Sequence, residues 1–200
     1  MSCLLEARNL RGLPGGPFSL RVEAGDCLVI SGPSGTGKSL LLRMLADLDE
    51  NEGEVLLRGQ RRESIPAPAW RAQVMYVAAE SGWWAESVRA HMSAPDEAAL
   101  LLPRLNLRPE LLDAPVSQLS SGERQRLAFI RAIIRRPALL LLDEPSAALD
   151  PDATAKLEAL VMALRAQGTG FIIVSHNPAQ GQRLATRRYA MSPGKLSELP

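Results

Sequence analysis

The sequence predicts an α/β fold with a mostly parallel sheet, a small antiparallel β-subdomain and an inserted helical subdomain. Apolar runs at 27–31, 139–142 and 171–174 lack polar alternation, which is typical of strands buried on both faces of a parallel sheet. From about residue 83 to residue 135, helix-like stretches separated by prolines indicate the helical subdomain. A chain of 200 residues suits one domain, so residues 1–200 are expected to form a single unit.

Local patterns predict the other elements in chain order. Two short strands, 3–11 and 18–23, flank a turn rich in proline and glycine at 13–17. After a helix at 40–46 we expect an edge strand at 54–58. The remaining predicted elements are a loop at 61–69, a β-rich strand at 73–77, helices at 86–92, 97–105, 123–135 and 151–167, and a closing hairpin of 189–191 and 195–199.

Residues 32–39 fit the pattern G-x-x-x-x-G-K-[ST] between a predicted strand and a predicted helix, the context that a phosphate-binding loop requires. Glycines allow positive φ angles, so the backbone N–H groups can converge on phosphate oxygens at the positive end of the helix. Lys38 is expected to reach the β- and γ-phosphates, and the Ser39 hydroxyl to bind Mg²⁺. The alternative is a glycine-rich turn without a ligand. The predicted phosphate-binding residues are Gly32, Pro33, Ser34, Gly35, Thr36, Gly37, Lys38 and Ser39.

Asp143 and Glu144 follow four consecutive leucines. At the carboxyl end of a parallel strand beside the phosphate loop, Asp143 can hold Mg²⁺ and Glu144 can polarise an attacking water. The alternative is two solvated acids at a strand end, which the upstream loop makes the weaker interpretation.

Composition argues against several other classes of function. The formal net charge is +1, so no global field attracts nucleic acid or an anionic membrane. Cys3 and Cys27 have no metal or redox spacing, which indicates unpaired thiols in a reducing compartment. Glu6 lies too early for a signal peptide, and no apolar run approaches the ~20 residues that span a bilayer. We expect a cytosolic protein without a nucleic-acid partner.

The stretch 119–126, LSSGERQR, resembles the L-S-G-G-Q signature of the ATP-binding cassette (ABC) ATPases, with Ser121 for the first glycine and Glu123 for the glutamine. In local terms it is a helix start, and an ordinary capping box between Ser120 and Glu123 is the alternative interpretation. Its position ahead of residues 139–144 favours the signature. The resemblance implies a P-loop NTPase core, ATP hydrolysis, and ATP and Mg²⁺ as cofactors.

Two further segments resemble that family in the same order. Residues 146–150 resemble its D-loop, with Ala147 for the usual serine, and residues 174–177 resemble its switch-histidine segment. The resemblance implies that His176 contacts the γ-phosphate and that Asp150 couples two sites. It also implies that two copies pair head to tail, each covering the ATP of the other. The implied catalytic residues are Glu144, His176 and Lys38, the Mg²⁺ ligands Ser39 and Asp143, and the covering residues Ser120, Ser121 and Gly122.

Two positions depart from the family pattern. Ala79 stands where the family has a Mg²⁺-binding glutamine, and Glu80 is a candidate substitute because a carboxylate suits Mg²⁺. The short loop after the first strand contains no aromatic residue to stack on adenine, and Arg11 could at best offer a cation–π contact in its place. Trp83 and Trp84 are either core residues or the lining of a groove for a partner's helix. His91 is interpreted as structural.

The resemblance implies the ATPase subunit of an ABC transporter, peripheral on the inner face of the membrane and held there by separate integral membrane subunits. One alternative is a soluble ABC ATPase that acts outside transport, against which the absence of a basic stripe and of long coiled-coil insertions argues. The other is a degenerate cassette that binds ATP without hydrolysing it. The cargo and the direction of transport are not encoded in this chain.

Overall fold

The computed structural model describes residues 3–13 and 15–200, in which the strands form two sheets. The smaller sheet is antiparallel, with the order β2-β1-β4-β5, and the larger has the order β10-β9-β3-β8-β7-β6. In the larger sheet only the β9–β10 pair is antiparallel within the described chain. The strands are β1 Cys3–Gly12, β2 Gly15–Glu23, β3 Cys27–Ser31, β4 Glu52–Leu57, β5 Gln60–Arg61, β6 Val74–Val77, β7 Leu139–Asp143, β8 Gly170–Val174, β9 Arg187–Ser192 and β10 Lys195–Leu199.

The helices are α1 Lys38–Leu45, α2 Ala67–Gln73, α3 Pro95–Leu101, α4 Ser121–Ile133, α5 Pro151–Ala166 and α6 Pro178–Leu184. Between β6 and β7 the chain contains α3, α4 and 3₁₀ turns at Arg89–His91, Pro103–Leu105, Pro109–Leu112 and Val116–Gln118. The predicted fold class is confirmed: a mostly parallel sheet, a separate antiparallel sheet and a helix-rich insertion are all present.

The central strands of the larger sheet, β3, β7 and β8, are buried on both faces. Leu28 and Ile30 of β3 belong to the core shared with α1 and the antiparallel sheet, whereas Cys27 and Val29 belong to the core shared with α4 and α5. The leucines 139–142 of β7 divide between the two cores in the same way. Because successive side chains of a strand point to opposite faces, an unbroken apolar run is what this position requires.

Several predicted elements differ from the structure. The predicted loop at 61–69 contains the start of α2, because Pro68 lies in the first turn, where proline is tolerated. The predicted helix at 86–92 is reduced to one 3₁₀ turn, and the predicted helix at 97–105 ends as α3 at Leu101 before a 3₁₀ turn that Pro103 begins. Helix α6 was not predicted, and Asn177 caps it.

Strand β4 is not an edge strand, because β5 pairs with its outer side. Cys3 and Cys27 are unpaired as expected, and burial raises the pKa of the Cys27 thiol to about 12. Pro14 of the predicted turn at 13–17 lies outside the described residues. Over the part of the chain that the structure describes, no helix is both long enough and apolar enough to cross a bilayer.

Candidate active site

The loop between β3 and α1 adopts the conformation that its glycines predict. Gly32, Gly35 and Gly37 have φ angles of 148°, 78° and 93°. A Cβ atom on Gly32 would lie 2.2 Å from the carbonyl oxygen of Met191 in β9, so no side chain fits there. At Gly35 a Cβ would meet nothing within 4 Å, which leaves the tip of the loop open towards a ligand.

Lys38 is buried and holds this loop together. Its Nζ donates hydrogen bonds to the carbonyl oxygens of Gly32, at 2.9 Å, and of Pro33, at 2.8 Å. An ammonium group has three N–H donors, so one remains for an anion. The first N–H groups of α1 also lack partners inside their own helix, so the loop carries positive potential on its open side.

The acid pair lies across the cleft from Lys38. Asp143 is buried at the end of β7, and its Oδ2 accepts a hydrogen bond of 2.9 Å from the Tyr76 hydroxyl of β6. Burial and the adjacent Asp143 charge raise the pKa of Tyr76, so the hydroxyl stays protonated and donates. Tyr76 is a site residue that sequence reasoning missed. No local signal in the sequence places it beside Asp143, because the contact arises from the pairing of β6 with β7.

Glu144 leaves the strand in a left-handed backbone conformation, with φ of 48°. Its N–H donates to the carbonyl oxygen of Val174, which ties the turn to β8. Its Oε1 lies 3.3 Å from Nε2 of His176 but lacks hydrogen-bonding geometry, and it is buried without another partner. Burial raises the pKa of Glu144 against the opposing effect of His176. A carboxylate of this kind is suited to accept a proton from a nucleophile.

These groups meet in one cleft of about 340 Å³ at the carboxyl ends of β3, β7 and β8. Its lining includes the predicted residues Ser34, Gly35, Gly37, Lys38, Ser39, Asp143, Glu144 and His176. Gly32, Pro33 and Thr36 shape the same loop from behind, where the Thr36 hydroxyl donates to the Pro33 carbonyl oxygen at 2.9 Å. Four other predicted residues, Ser120, Ser121, Gly122 and Asp150, do not line this cleft.

Ser120 lies at the surface, at the start of α4. The capping box is present: the Ser120 side chain accepts from the Glu123 N–H, and the Glu123 carboxylate accepts from the Ser120 N–H at 2.8 Å. As local structure, this segment is therefore the ordinary capping box that was the alternative interpretation. It does not compete with the signature interpretation, because the open end of a capped helix still presents N–H groups outward.

Gln125 joins the signature helix to the acid pair, and sequence reasoning missed it. The side chain is buried, with Nε2 donating to the Glu144 carbonyl oxygen at 2.7 Å and Oε1 accepting from the Ala148 N–H at 3.3 Å. A Cβ on Gly122 would lie 2.8 Å from the Ala148 carbonyl oxygen, so the start of α4 packs directly on the 146–149 turn. Asp150 caps α5 by accepting from the Ala153 N–H at 2.8 Å.

The two departures from the family pattern lie outside the cleft. Glu80 lines a neighbouring cavity of about 660 Å³ together with Ala79, Ser121 and Arg124. Its substitution for the missing glutamine therefore requires movement of the 78–82 loop. Arg11 lines a separate acidic pocket with Asp47, Asp49 and Glu50 rather than the cleft, and a role in holding adenine stays a prediction.

Trp83 and Trp84 surround His91 at the entrance to the helix-rich insertion. The ring centroids of Trp83 and Trp84 lie 4.8 and 4.5 Å from that of His91. Nε2 of His91 accepts from the N–H groups of Trp84, at 2.8 Å, and Ala85, at 3.0 Å, so this nitrogen is unprotonated and the ring shapes the loop. His91 is structural, as expected. Trp83 packs against the core, whereas Trp84 is 74% exposed.

The residues present fit a Mg²⁺–nucleotide. The cleft brings together a hydroxyl from Ser39 and a carboxylate from Asp143, which are the oxygen ligands that Mg²⁺ prefers. The remaining Lys38 donor suits a phosphate, and the orphaned Glu144 oxygen has no partner among the described residues. Within the described ranges, no group of three or more His, Cys, Asp or Glu side chains is placed to hold a metal ion.

Comparison with known proteins places this geometry in context. The family model described as ABC transporter matches residues 16–147. The phosphate import ATP-binding protein PstB 2 of Natronomonas pharaonis is 33% identical, covering 90% of this chain and 72% of that protein. The arginine transport ATP-binding protein ArtP of Haemophilus influenzae is 34% identical, covering 91% of this chain and 84% of that protein.

Other matches extend beyond this chain or show the fold alone. The chain spans 59% of the spermidine/putrescine import ATP-binding protein PotA of Nitrosospira multiformis, to which it is 30% identical. A solved dimeric ATP-binding cassette in a post-hydrolysis state, bound to ADP and phosphate, has a TM-score of 0.83 and 21% identity, covering 98% of this chain and 99% of its own.

Proposed function

The chain belongs to the ABC transporter family, as the sequence predicted, and we propose that it is an ATP-binding and ATP-hydrolysing subunit that powers transport through separate membrane subunits. We further propose that two copies pair head to tail around ATP at the cytoplasmic face of the membrane. Relatives that carry out phosphate import and arginine transport support the transport role. The substrate carried by this system is left to the membrane subunits.

One observation carries the proposal. The cleft contains Lys38 for the phosphates, Asp143 for the metal and Glu144 as a general base. Ser120 of the signature segment is exposed and lies outside this cleft. The N–H groups at the start of α4 that the capping box leaves free are therefore available to an anion held by another molecule, and Ser120 can join them when its hydroxyl turns away from Glu123. A second copy, placed head to tail, supplies the phosphates held by its own Lys38.

Each residue has a distinct chemical task. Lys38 and the loop N–H groups would bind the triphosphate, and Ser39 and Asp143 would hold Mg²⁺, which would neutralise negative charge on the phosphate oxygens. Glu144 accepts the proton of the attacking water, and its raised pKa favours that transfer. His176 orients the γ-phosphate from β8. Tyr76 fixes the Asp143 carboxylate through its hydrogen bond.

The Glu144→Gln variant tests the pairing and the hydrolysis together. We expect it to form an ATP-dependent dimer with turnover at least about a hundredfold below that of the parent, because an amide cannot accept the proton. Light scattering with and without Mg²⁺-ATP measures the dimer, and phosphate release measures turnover. Monomers only, with ATP bound, would contradict the head-to-tail scheme.

Steady-state ATPase activity separates this proposal from a degenerate cassette. Lys38, Glu144 and His176 are all present and face one cleft, which favours hydrolysis. Activity absent from the parent and unchanged in Glu144→Gln would support the degenerate alternative. A soluble ABC ATPase acting outside transport would hydrolyse ATP but would not co-purify with a membrane-spanning subunit.

The surface formed by Trp83, Trp84 and Arg131 is the proposed docking face for the membrane subunit. The Arg131 guanidinium lies 4.6 and 5.0 Å from the ring centroids of Trp83 and Trp84. Burial lowers the pKa of Arg131. Its Nη1 donates to the Gly82 carbonyl oxygen at 3.0 Å, and among the described residues no carboxylate forms an ion pair with it. Arg131 also lines a cavity of about 140 Å³ together with Ala128 and Ala132.

These features suit a helix that presents one apolar side chain to the cavity and a carboxylate to Arg131. Trp84→Ala should reduce co-purification of the membrane-spanning subunit by about tenfold or more, since exposed tryptophans are frequent binding hot spots. Leu100→Ala is the matched control, because Leu100 is 77% exposed and lies on α3. Equal recovery with both variants would place the docking face elsewhere.

A further inference from the structure

We infer that Glu123 opposes closure of the two-copy site by holding Ser120 and by placing a negative charge next to the partner-bound γ-phosphate. This inference rests on the proposed head-to-tail pairing and assigns a regulatory position within it. Glu123 is a positioning residue in this role, because it acts through Ser120 and through its field.

Ser120 has one hydroxyl proton, and Glu123 uses it. The Ser120 Oγ lies 2.9 Å from the Glu123 Oε2 and donates to it, while the same oxygen accepts from the Glu123 N–H at 3.2 Å. The Ser120 N–H also donates to that carboxylate oxygen, at 2.8 Å. To donate to a phosphate, the hydroxyl must first turn away from a charge-assisted hydrogen bond.

Glu123 is ionised in the unpaired subunit. The Ser120 N–H, and to a lesser extent its hydroxyl, outweigh the effect of burial and lower the pKa of Glu123. Arg126 and Arg108 contribute in the same direction through space. Arg126 is engaged by carbonyl oxygens of Gly122 and Leu105, so it screens the carboxylate without pairing with it.

Geometry bounds the size of the repulsion. A phosphate oxygen that accepts from the Ser120 hydroxyl would lie within about 6 Å of the Glu123 carboxylate, since each hydrogen bond spans about 3 Å. Two like charges at that separation in a partly solvated site change an equilibrium by roughly threefold to thirtyfold. Glutamine keeps a carbonyl oxygen for the Ser120 N–H and removes the charge.

Dimerisation in the Glu144→Gln background isolates this effect from turnover. The additional substitution Glu123→Gln should lower the ATP concentration for half-maximal dimer by about threefold or more, and the gain should shrink as salt is raised from about 0.05 M to 0.5 M, because salt screens charge repulsion. Glu123→Lys should shift the midpoint further in the same direction. The control Glu110→Gln makes the same change in net charge at a position outside the capping box.

The outcomes separate this inference from the proposed function. A Glu144→Gln parent that never pairs with Mg²⁺-ATP overturns both. A parent that pairs, with midpoints unchanged or raised in Glu123→Gln and Glu123→Lys, overturns the role of Glu123 alone. An equal shift in Glu110→Gln would reduce the effect to overall charge and would also overturn it. Thermal unfolding of each variant shows that the compared proteins are folded.

Discussion

Replacing Gln125 by methionine tests whether this buried amide links the signature helix to the acid pair. Methionine has a similar length and remains apolar, so the space stays filled while both hydrogen bonds are lost. The Glu144 carbonyl oxygen then loses a donor at 2.7 Å, and the Ala148 N–H loses an acceptor at 3.3 Å. The change removes contacts without creating a large cavity.

The expected cost follows from those two contacts. Each hydrogen bond contributes about 1 kcal/mol. The Glu144 carbonyl oxygen keeps the N–H of Ala147 at 3.1 Å, and Ala148 is exposed, so neither partner is left buried without a hydrogen bond. We therefore expect the free energy of unfolding to fall by about 2 kcal/mol. Turnover should fall by roughly tenfold or more, since the backbone of Glu144 loses its anchor to α4.

Urea denaturation followed by circular dichroism measures the first quantity, and phosphate release measures the second. The exposed Gln182 in α6 provides a control, because Gln182→Met makes the same chemical change at the surface. An unfolding free energy of Gln125→Met within about 0.5 kcal/mol of the parent would refute the reasoning. So would an equal loss in Gln182→Met.

Two further predictions concern the scaffold. Gly32→Ala should lower the free energy of unfolding, measured by chemical denaturation, by roughly 2 kcal/mol or more, because its Cβ would lie 2.2 Å from the Met191 carbonyl oxygen. The control Gly59→Ala should lower it by less, because a Cβ there would meet nothing within 4 Å. Burial alone would raise the pKa of Asp26, but hydrogen bonds from the Glu23 N–H, Arg187 and Thr186 outweigh it and lower that pKa. The contribution of Asp26 to the free energy of unfolding is therefore complete above pH ~4 and is lost as the pH falls through the lowered pKa. The difference in unfolding free energy between the parent and Asp26→Asn should narrow below pH ~4. A difference that widens there would contradict the lowered pKa.

The sequence predicted the parts of the fold whose patterns are local. The continuous apolar runs at 27–31, 139–142 and 171–174 form the central strands, because strands buried on both faces need apolar side chains on both faces. The 32–39 loop was predicted as a unit, since its glycines, its lysine and its flanking elements are contiguous. Helix α2 was missed because prolines at 66 and 68 were read as loop formers rather than as residues of a helix start.

The connections between distant segments could not be predicted in the same way. Tyr76 and Gln125 reach Asp143 and Glu144 through strand pairing and helix packing, which no local spacing encodes. The capping box at Ser120 was predicted, yet its effect on the Ser120 hydroxyl depends on side-chain geometry. Glu80 illustrates the limit in the opposite direction: adjacency in sequence to Ala79 suggested a metal ligand, and the loop directs it to another cavity.

The two hydrogen bonds from Lys38 to its own loop affect how a nucleotide-free control should be made. A substitution there withdraws the cation that meets the phosphate and also unfastens Gly32 and Pro33 from the start of α1. An inactive Lys38 variant therefore does not distinguish weaker nucleotide binding from a distorted phosphate-binding loop. The unsubstituted protein without nucleotide is the better negative control. A Lys38 variant is informative only when the conformation of the 32–39 loop is measured as well.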